Sequence, residues 1–96
     1  MNLDQLVKNK RSEIVRIAAR HGASNVRVFG SVACGNAGPD SDVDLLVDVG
    51  EYRTSFFPGG LIADLEDLLG CRVEIVTPDA LDGFIRDHVL AEAVSL

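Results

Sequence analysis

The stretch Phe29-Gly-Ser-Val-Ala-Cys-Gly-Asn-Ala-Gly-Pro-Asp-Ser-Asp-Val-Asp-Leu-Leu-Val-Asp48 decides how the rest of the chain is read. It leaves a short β-branched run, Val26-Arg27-Val28, and turns at Gly30-Ser31. Small residues carry it to Asp40, and it re-enters an apolar run bearing Asp42 and Asp44. Successive side chains of a strand point to opposite faces. Asp42 and Asp44 therefore share one face, while Val43, Leu45 and Val47 line the other. At a rise of ~3.3 Å per residue their α-carbons stand roughly 6.6 Å apart. That spacing lets both carboxylates lean onto one divalent cation, or onto two cations about 3.5–4 Å apart. A glycine-serine turn facing a carboxylate pair reads as a site for a metal-bound phosphate.

Before this stretch, residues 3–21 read as one amphipathic helix. Leu3, Leu6, Val7, Ile14, Ile17 and Ala18 recur at helical spacing, with Lys8, Arg11, Glu13 and Arg20 elsewhere and Gly22 as the C-terminal cap. Residues 25–30 form a first strand with Val26 and Val28 on one face, Arg27 and Phe29 on the other. A short helical turn is expected at 31–35, then a Gly/Asn/Pro/Asp loop. The second strand covers about 42–48, and residues 49–58 connect it onward. Leu61, Ile62, Leu65, Leu68 and Leu69 mark a second main helix ending at Gly70, and residues 72–76 give a third strand. Thr77 as N-cap and Pro78 at the first helical position open a last helix through Leu81, Phe84, Ile85 and Val89. The pattern is an α/β (α+β) fold over residues 1–96, read as one domain. Its small mixed sheet has three strands, or four, with helices on one face and the site on the other. Phe29, Leu46, Phe56 and Phe57 are left either as an exposed apolar patch or as core.

Composition narrows the function classes. The chain has 96 residues, 47% hydrophobic and 25% charged, ordinary for a soluble globular protein. No apolar run approaches the ~18 residues of a membrane span, and the polar N-terminus resembles no signal peptide. Cys34 and Cys71 lack ligand spacing and read as free thiols in a cytoplasmic protein. Charge is uneven: residues 1–30 carry six Lys/Arg against two Asp/Glu, residues 31–96 three against thirteen, giving −6 in all. Such a balance argues against direct nucleic-acid binding, whose main affinity term needs clustered cations. The acidity suits carboxylates that hold Mg²⁺, a basic protein partner, or a solvated acidic face.

The third strand carries one acid. In Arg72-Val73-Glu74-Ile75-Val76, Val73 and Ile75 claim the helix-packed face, so Glu74 points to the face assigned to Asp42 and Asp44. If the second and third strands are neighbours, ~4.8 Å apart, the three carboxylates converge; otherwise Glu74 only solubilises an open sheet face. Two other motifs fail on their chemistry. Gly30 and Gly35 have Walker A spacing, but Asn36-Ala37 stands where Lys-Ser/Thr is needed. Asp40, Asp42 and Asp44 with Glu51 imitate an EF-hand loop, but Leu45 occupies the position of its sharp turn. His21, His88 and Tyr52 read as helix-end, surface and loop residues, with no paired nucleophile.

Gly30-Ser31, ten intervening residues, then Asp42-x-Asp44 followed by Leu-Leu-Val resemble the signature of the DNA polymerase β nucleotidyltransferase superfamily. The similarity extends to the leading helix, the Phe-Gly-Ser turn and the late Val-Glu-Ile-Val-Thr-Pro segment. Its minimal members, the MNT domains, are free-standing domains of about this size, many of them antitoxins paired with a HEPN-domain toxin. The resemblance implies that Gly30 and Ser31 contact nucleotide phosphates. It also implies that Asp42 and Asp44 are metal-bridging carboxylates, and that Glu74 is the third acid beside the attacking hydroxyl. The implied activity is Mg²⁺-dependent transfer of AMP from ATP to a hydroxyl, in antitoxins a tyrosine of the toxin.

Two positions depart from the family pattern. Cys34 stands where Arg is usual, and Glu74 is one methylene longer than the usual Asp; displacement of ~1 Å can slow a reaction about a hundredfold. The alternatives are an impaired antitoxin acting by binding and occlusion, or a transferase acting on a small-molecule hydroxyl. Small-molecule relatives generally carry an extra substrate domain. The implied assembly is a hetero-complex with the toxin or a homo-oligomer.

Overall fold

The computed structural model describes residues 3–30, 42–51 and 57–96. In chain order the elements are α1 (Leu3–Asn9), α2 (Arg11–Arg20), β1 (Ala23–Phe29), β2 (Val43–Val49), α3 (Gly59–Leu69), β3 (Val73–Val76), a 3-10 turn (Pro78–Ala80), α4 (Gly83–Glu92) and β4 (Val94–Ser95). The sheet runs β3-β2-β1-β4. β1 is antiparallel to both β2 and β4, and β2 is parallel to β3. A parallel pair needs a long crossover, which α3 supplies. The mixed sheet thus has the fourth strand that the sequence left open.

Alternation sets the core. Val43, Leu45 and Val47 are fully buried, and Ile14, Leu61 and Leu65 from α2 and α3 close over the same sheet face. Each such Leu or Ile contributes roughly 1.5–3 kcal/mol of burial. α3 stops at Gly70, whose φ of 69° lets its N–H reach the Glu66 carbonyl at 2.8 Å. Glu66 then accepts from the Val73 N–H at 3.1 Å, and the Val43 N–H bonds the Arg72 carbonyl at 2.9 Å. These bonds fix where β3 starts along β2.

β1 contains an irregularity that the alternating pattern did not reveal. Ser24 pairs with Asp48 but Arg27 pairs with Leu46, so β1 carries one extra residue there. Asn25 absorbs it at φ 48°, a left-handed conformation that Asn tolerates better than most residues. Its side-chain amide donates to Asp48 Oδ2 at 3.0 Å. Beyond the bulge, Val26 and Val28 face the core as expected, with Arg27 and Phe29 half-buried.

Three expectations need correction. The leading helix is interrupted at Lys10 (φ −100°, ψ 10°), between the weak helix formers Asn9 and Ser12. Hydrogen bonds from Lys10 N to Leu6 O and from Ile14 N to Lys10 O bracket the break. Thr77-Pro78 opens only the 3-10 turn, because Leu81 is extended (ψ 142°). α4 starts afresh at Asp82, whose carboxylate caps the Ile85 N–H at 3.2 Å. The apolar residues of the last segment are also mostly uncovered: Val89 is buried, while Phe84 is 86% exposed and Ile85 48%. Leu46, by contrast, is fully buried although it shares strand parity with Asp44, and Phe57 packs against the core. Neither belongs to an exposed patch. Phe56 and the expected turn at 31–35 lie outside the described residues.

Candidate functional site

The site is built at one end of the two central strands. Asp44 pairs laterally with Phe29 of β1 and, in the parallel ladder, with Glu74 of β3. Parallel strands lie ~4.8 Å apart, so registered residues place their side chains on the same face at contact distance. Asp44 and Glu74 are such a pair, and each carboxyl group stands in the field of the other. Asp42 sits half-buried at the entry to β2, two residues earlier on the same face.

Gly30 follows Phe29 directly and lies over Asp44. Its φ of 73° suits glycine, and a side-chain carbon placed there would collide with Asp44 Oδ2. Backbone thus approaches the carboxylate as closely as an unsubstituted α-carbon permits. The Gly30 N–H donates to Glu92 Oε1 at 2.7 Å, a contact across 62 positions of sequence.

Electrostatics follow from this crowding. Burial pushes the Asp44 carboxyl up to about 6; the neighbouring Glu74 carboxylate, and then the charges of Asp42 and Glu92, push the same way. The Cys71 thiol is raised by burial, then by Asp42 and Glu66. On β1, Arg27 donates to Asp48 Oδ1 at 2.7 Å and to the Asn25 carbonyl at 3.0 Å. Asp48 lies below the usual carboxylate range, chiefly through its bond from Asn25 and then through Arg27. Arg27 is therefore committed to a structural pair, and Arg72 is exposed.

The carboxylates offer an all-oxygen donor set, the hard chemistry that suits Mg²⁺, and their mutual repulsion is what a cation relieves. Among the described residues, no three His, Cys, Asp or Glu side chains are already arranged as a metal cage.

The expected residues Asp42, Asp44, Glu74 and Gly30 are thus brought to one end of the sheet. Ser31, Cys34 and Tyr52 lie outside the described residues. His21 joins α2 to α3 through Asp64 at 2.8 Å, and His88 is 76% exposed, 3.5 Å from Glu92; neither stands at a nucleophile. Glu92 was not anticipated. Its signal was an anomaly: an acid on the last residue of a helix faces the negative end of the helix dipole, where a cation is preferred.

A family model for the nucleotidyltransferase domain matches residues 11–96. Protein adenylyltransferase MntA of Thermococcus cleftensis is 43% identical over 75 residues, 78% of this chain and 76% of that protein. A Methanocaldococcus jannaschii protein, provisionally named a protein adenylyltransferase, is 30% identical over 96 residues, 100% of this chain and 99% of that one. Among solved structures, one provisionally described as a minimal nucleotidyltransferase superposes with TM-score 0.88 at 46% identity. It covers 100% of this chain and 97% of that one. A toxin-antitoxin complex with AMP-PNP shares the fold at TM-score 0.74 and 17% identity, over 88% of this chain and 69% of that one.

Proposed function

Because this chain belongs to the nucleotidyltransferase domain family, we propose that it transfers AMP from ATP, with Mg²⁺, to a tyrosine hydroxyl of a cognate HEPN-domain toxin, acting in the cytoplasm as its antitoxin. The observation that carries this reading is the parallel register setting Glu74 beside Asp44, with Gly30 over Asp44. The MntA relative and the toxin-antitoxin complex with AMP-PNP support the nucleotide and the class of partner.

In this mechanism the Gly30 N–H and the Ser31 hydroxyl hold phosphate oxygens of the nucleotide, the missing Cβ of Gly30 allowing close approach. Asp42, Asp44 and Glu74 are the residues that would hold Mg²⁺. Bound Mg²⁺ would neutralise the triphosphate and lower the pKa of the attacking hydroxyl. The acceptor oxygen forms a bond to the α-phosphorus, the bond to the bridging oxygen breaks, and pyrophosphate leaves. Glu74, exposed at the rim, takes the hydroxyl proton. Nothing here is covalent catalysis by the protein; the acceleration comes from placement and charge.

Gly30's amide being held by Glu92 favours a second reading, an antitoxin that inhibits by occlusion. Radiolabelled ATP incubated with this protein and its toxin separates the two. Label on the toxin, lost in Asp42→Ala/Asp44→Ala, supports transfer. Inhibition without label, unchanged by those substitutions, supports occlusion and rejects the enzymatic reading.

A further inference from the structure

Resting on the reading of Gly30 as a phosphate contact, we propose that Glu92 is a built-in occupant of the phosphate seat: its carboxylate holds the Gly30 amide until a nucleotide phosphate displaces it, which couples nucleotide entry to release of the last turn of α4.

The contact has the length of a charge-assisted bond, 2.7 Å from the Gly30 nitrogen to Oε1. A half-buried N–H left unbonded is costly, so some acceptor must fill the place when no nucleotide does. A carboxylate oxygen meets that need with the charge and acceptor geometry of a phosphate oxygen. Two anions cannot share one N–H at this distance, so the two occupants exclude each other.

The same surroundings make Glu92 a weak holder. It ends α4, against the dipole. It also adds a further acid to the field of Asp42, Asp44 and Glu74, and its charge contributes to the elevation of Asp44. His88 stands 3.5 Å from Oε2 but is largely exposed. The segment that carries Glu92 is lightly attached. Val89 is the one residue of α4 that is buried, and after it β4 holds β1 through the pairs Arg27–Ser95 and Val28–Val94. The turn between Val89 and Val94 can therefore shift while both anchors stay in place.

The test is binding of a nonhydrolysable ATP analogue with Mg²⁺, and of inorganic tripolyphosphate, to the wild type and to Glu92→Gln. The substituted amide keeps the shape and removes the charge. Both probes should bind the variant about tenfold more tightly, as expected when a charge-assisted competitor becomes a neutral one. In the wild type, either probe should speed hydrogen exchange of the backbone amides at 90–92. Wild-type binding with unchanged or weaker affinity in Glu92→Gln overturns the proposal and leaves the reading of Gly30 standing. No binding of either probe to the wild type removes both. Should the variant fail to fold, exchange at 90–92 that stays constant while the wild type binds overturns the proposal by itself.

Discussion

Replacing Gly30 by alanine tests the close approach on which the site is built. Two effects add in the substituted chain. A side chain at φ 73° disfavours the left-handed conformation by about 1–2 kcal/mol. The new methyl also collides with Asp44 Oδ2 and stands 3.4 Å from its Cγ, so the carboxylate must leave its rotamer, adding about 0.5–1.5 kcal/mol. A total of about 2 kcal/mol lowers the melting temperature of a domain this size by on the order of 10 °C, measured by circular dichroism. Removing the obstacle separates the parts. In Gly30→Ala/Asp44→Ala the collision vanishes and the backbone strain remains, so the double variant should be more stable than the sum of the single effects by about 1 kcal/mol. A carboxylate displaced by ~1 Å should also slow AMP transfer by about a hundredfold. Gly30→Ala melting within about 2 °C of the wild type, or strictly additive effects in the double variant, would refute the geometry.

Three further outcomes follow from other parts of the molecule. Leu46→Ala should destabilise by about 2–5 kcal/mol in urea unfolding, like a core leucine, because Leu46 is fully buried despite sharing the parity of Asp44. Asp82→Ala should cost about 1 kcal/mol and speed hydrogen exchange through the first turn of α4, whose Ile85 N–H it caps. In the presence of a chelator, the raised carboxyl of Asp44 binds its proton more tightly folded than unfolded. Its contribution is complete below about pH 4 and is lost as pH rises through about 6. Asp44→Asn should flatten that decline; after allowance for solvent screening of a half-exposed group, the difference is about 1 kcal/mol.

Much of the architecture was legible because it is written in local periods. Alternation in Val43–Val47 and in Val73–Val76 gave both the buried face and the carboxylate face. The leucines of α3 and the glycine after it marked that helix to its end. The meeting of Asp44 and Glu74 needed only one further condition, that β2 and β3 be neighbours, and the ladder meets it residue for residue. What escaped depends on contacts that no local period encodes. Glu92 reaches Gly30 across 62 positions, and its only local trace is a charge at the wrong end of a helix. Leu46 is buried from the side where the pattern expected a site, and the apolar spacing of Leu81, Phe84 and Ile85 promised a buried face that α4 does not have. Lys10 interrupts a helix with no glycine or proline to announce it.

The bulge at Asn25 is a local anchor and does not set which way the strand faces. Ser24 and Asn25 both lie exposed, so Ala23 before the surplus position and Val26 and Val28 after it face the core alike. Deleting Asn25 would close β1 into a regular ladder that keeps Ser24 opposite Asp48 and Arg27 opposite Leu46, with the loss of the amide bond from Asn25 to Asp48. Asn25→Gly, which keeps the count and accepts the same backbone angle, should lose that bond alone. Among relatives of this chain, the segment before the Phe-Gly-Ser corner should therefore tolerate the loss of one residue with the corner still seated on Asp44.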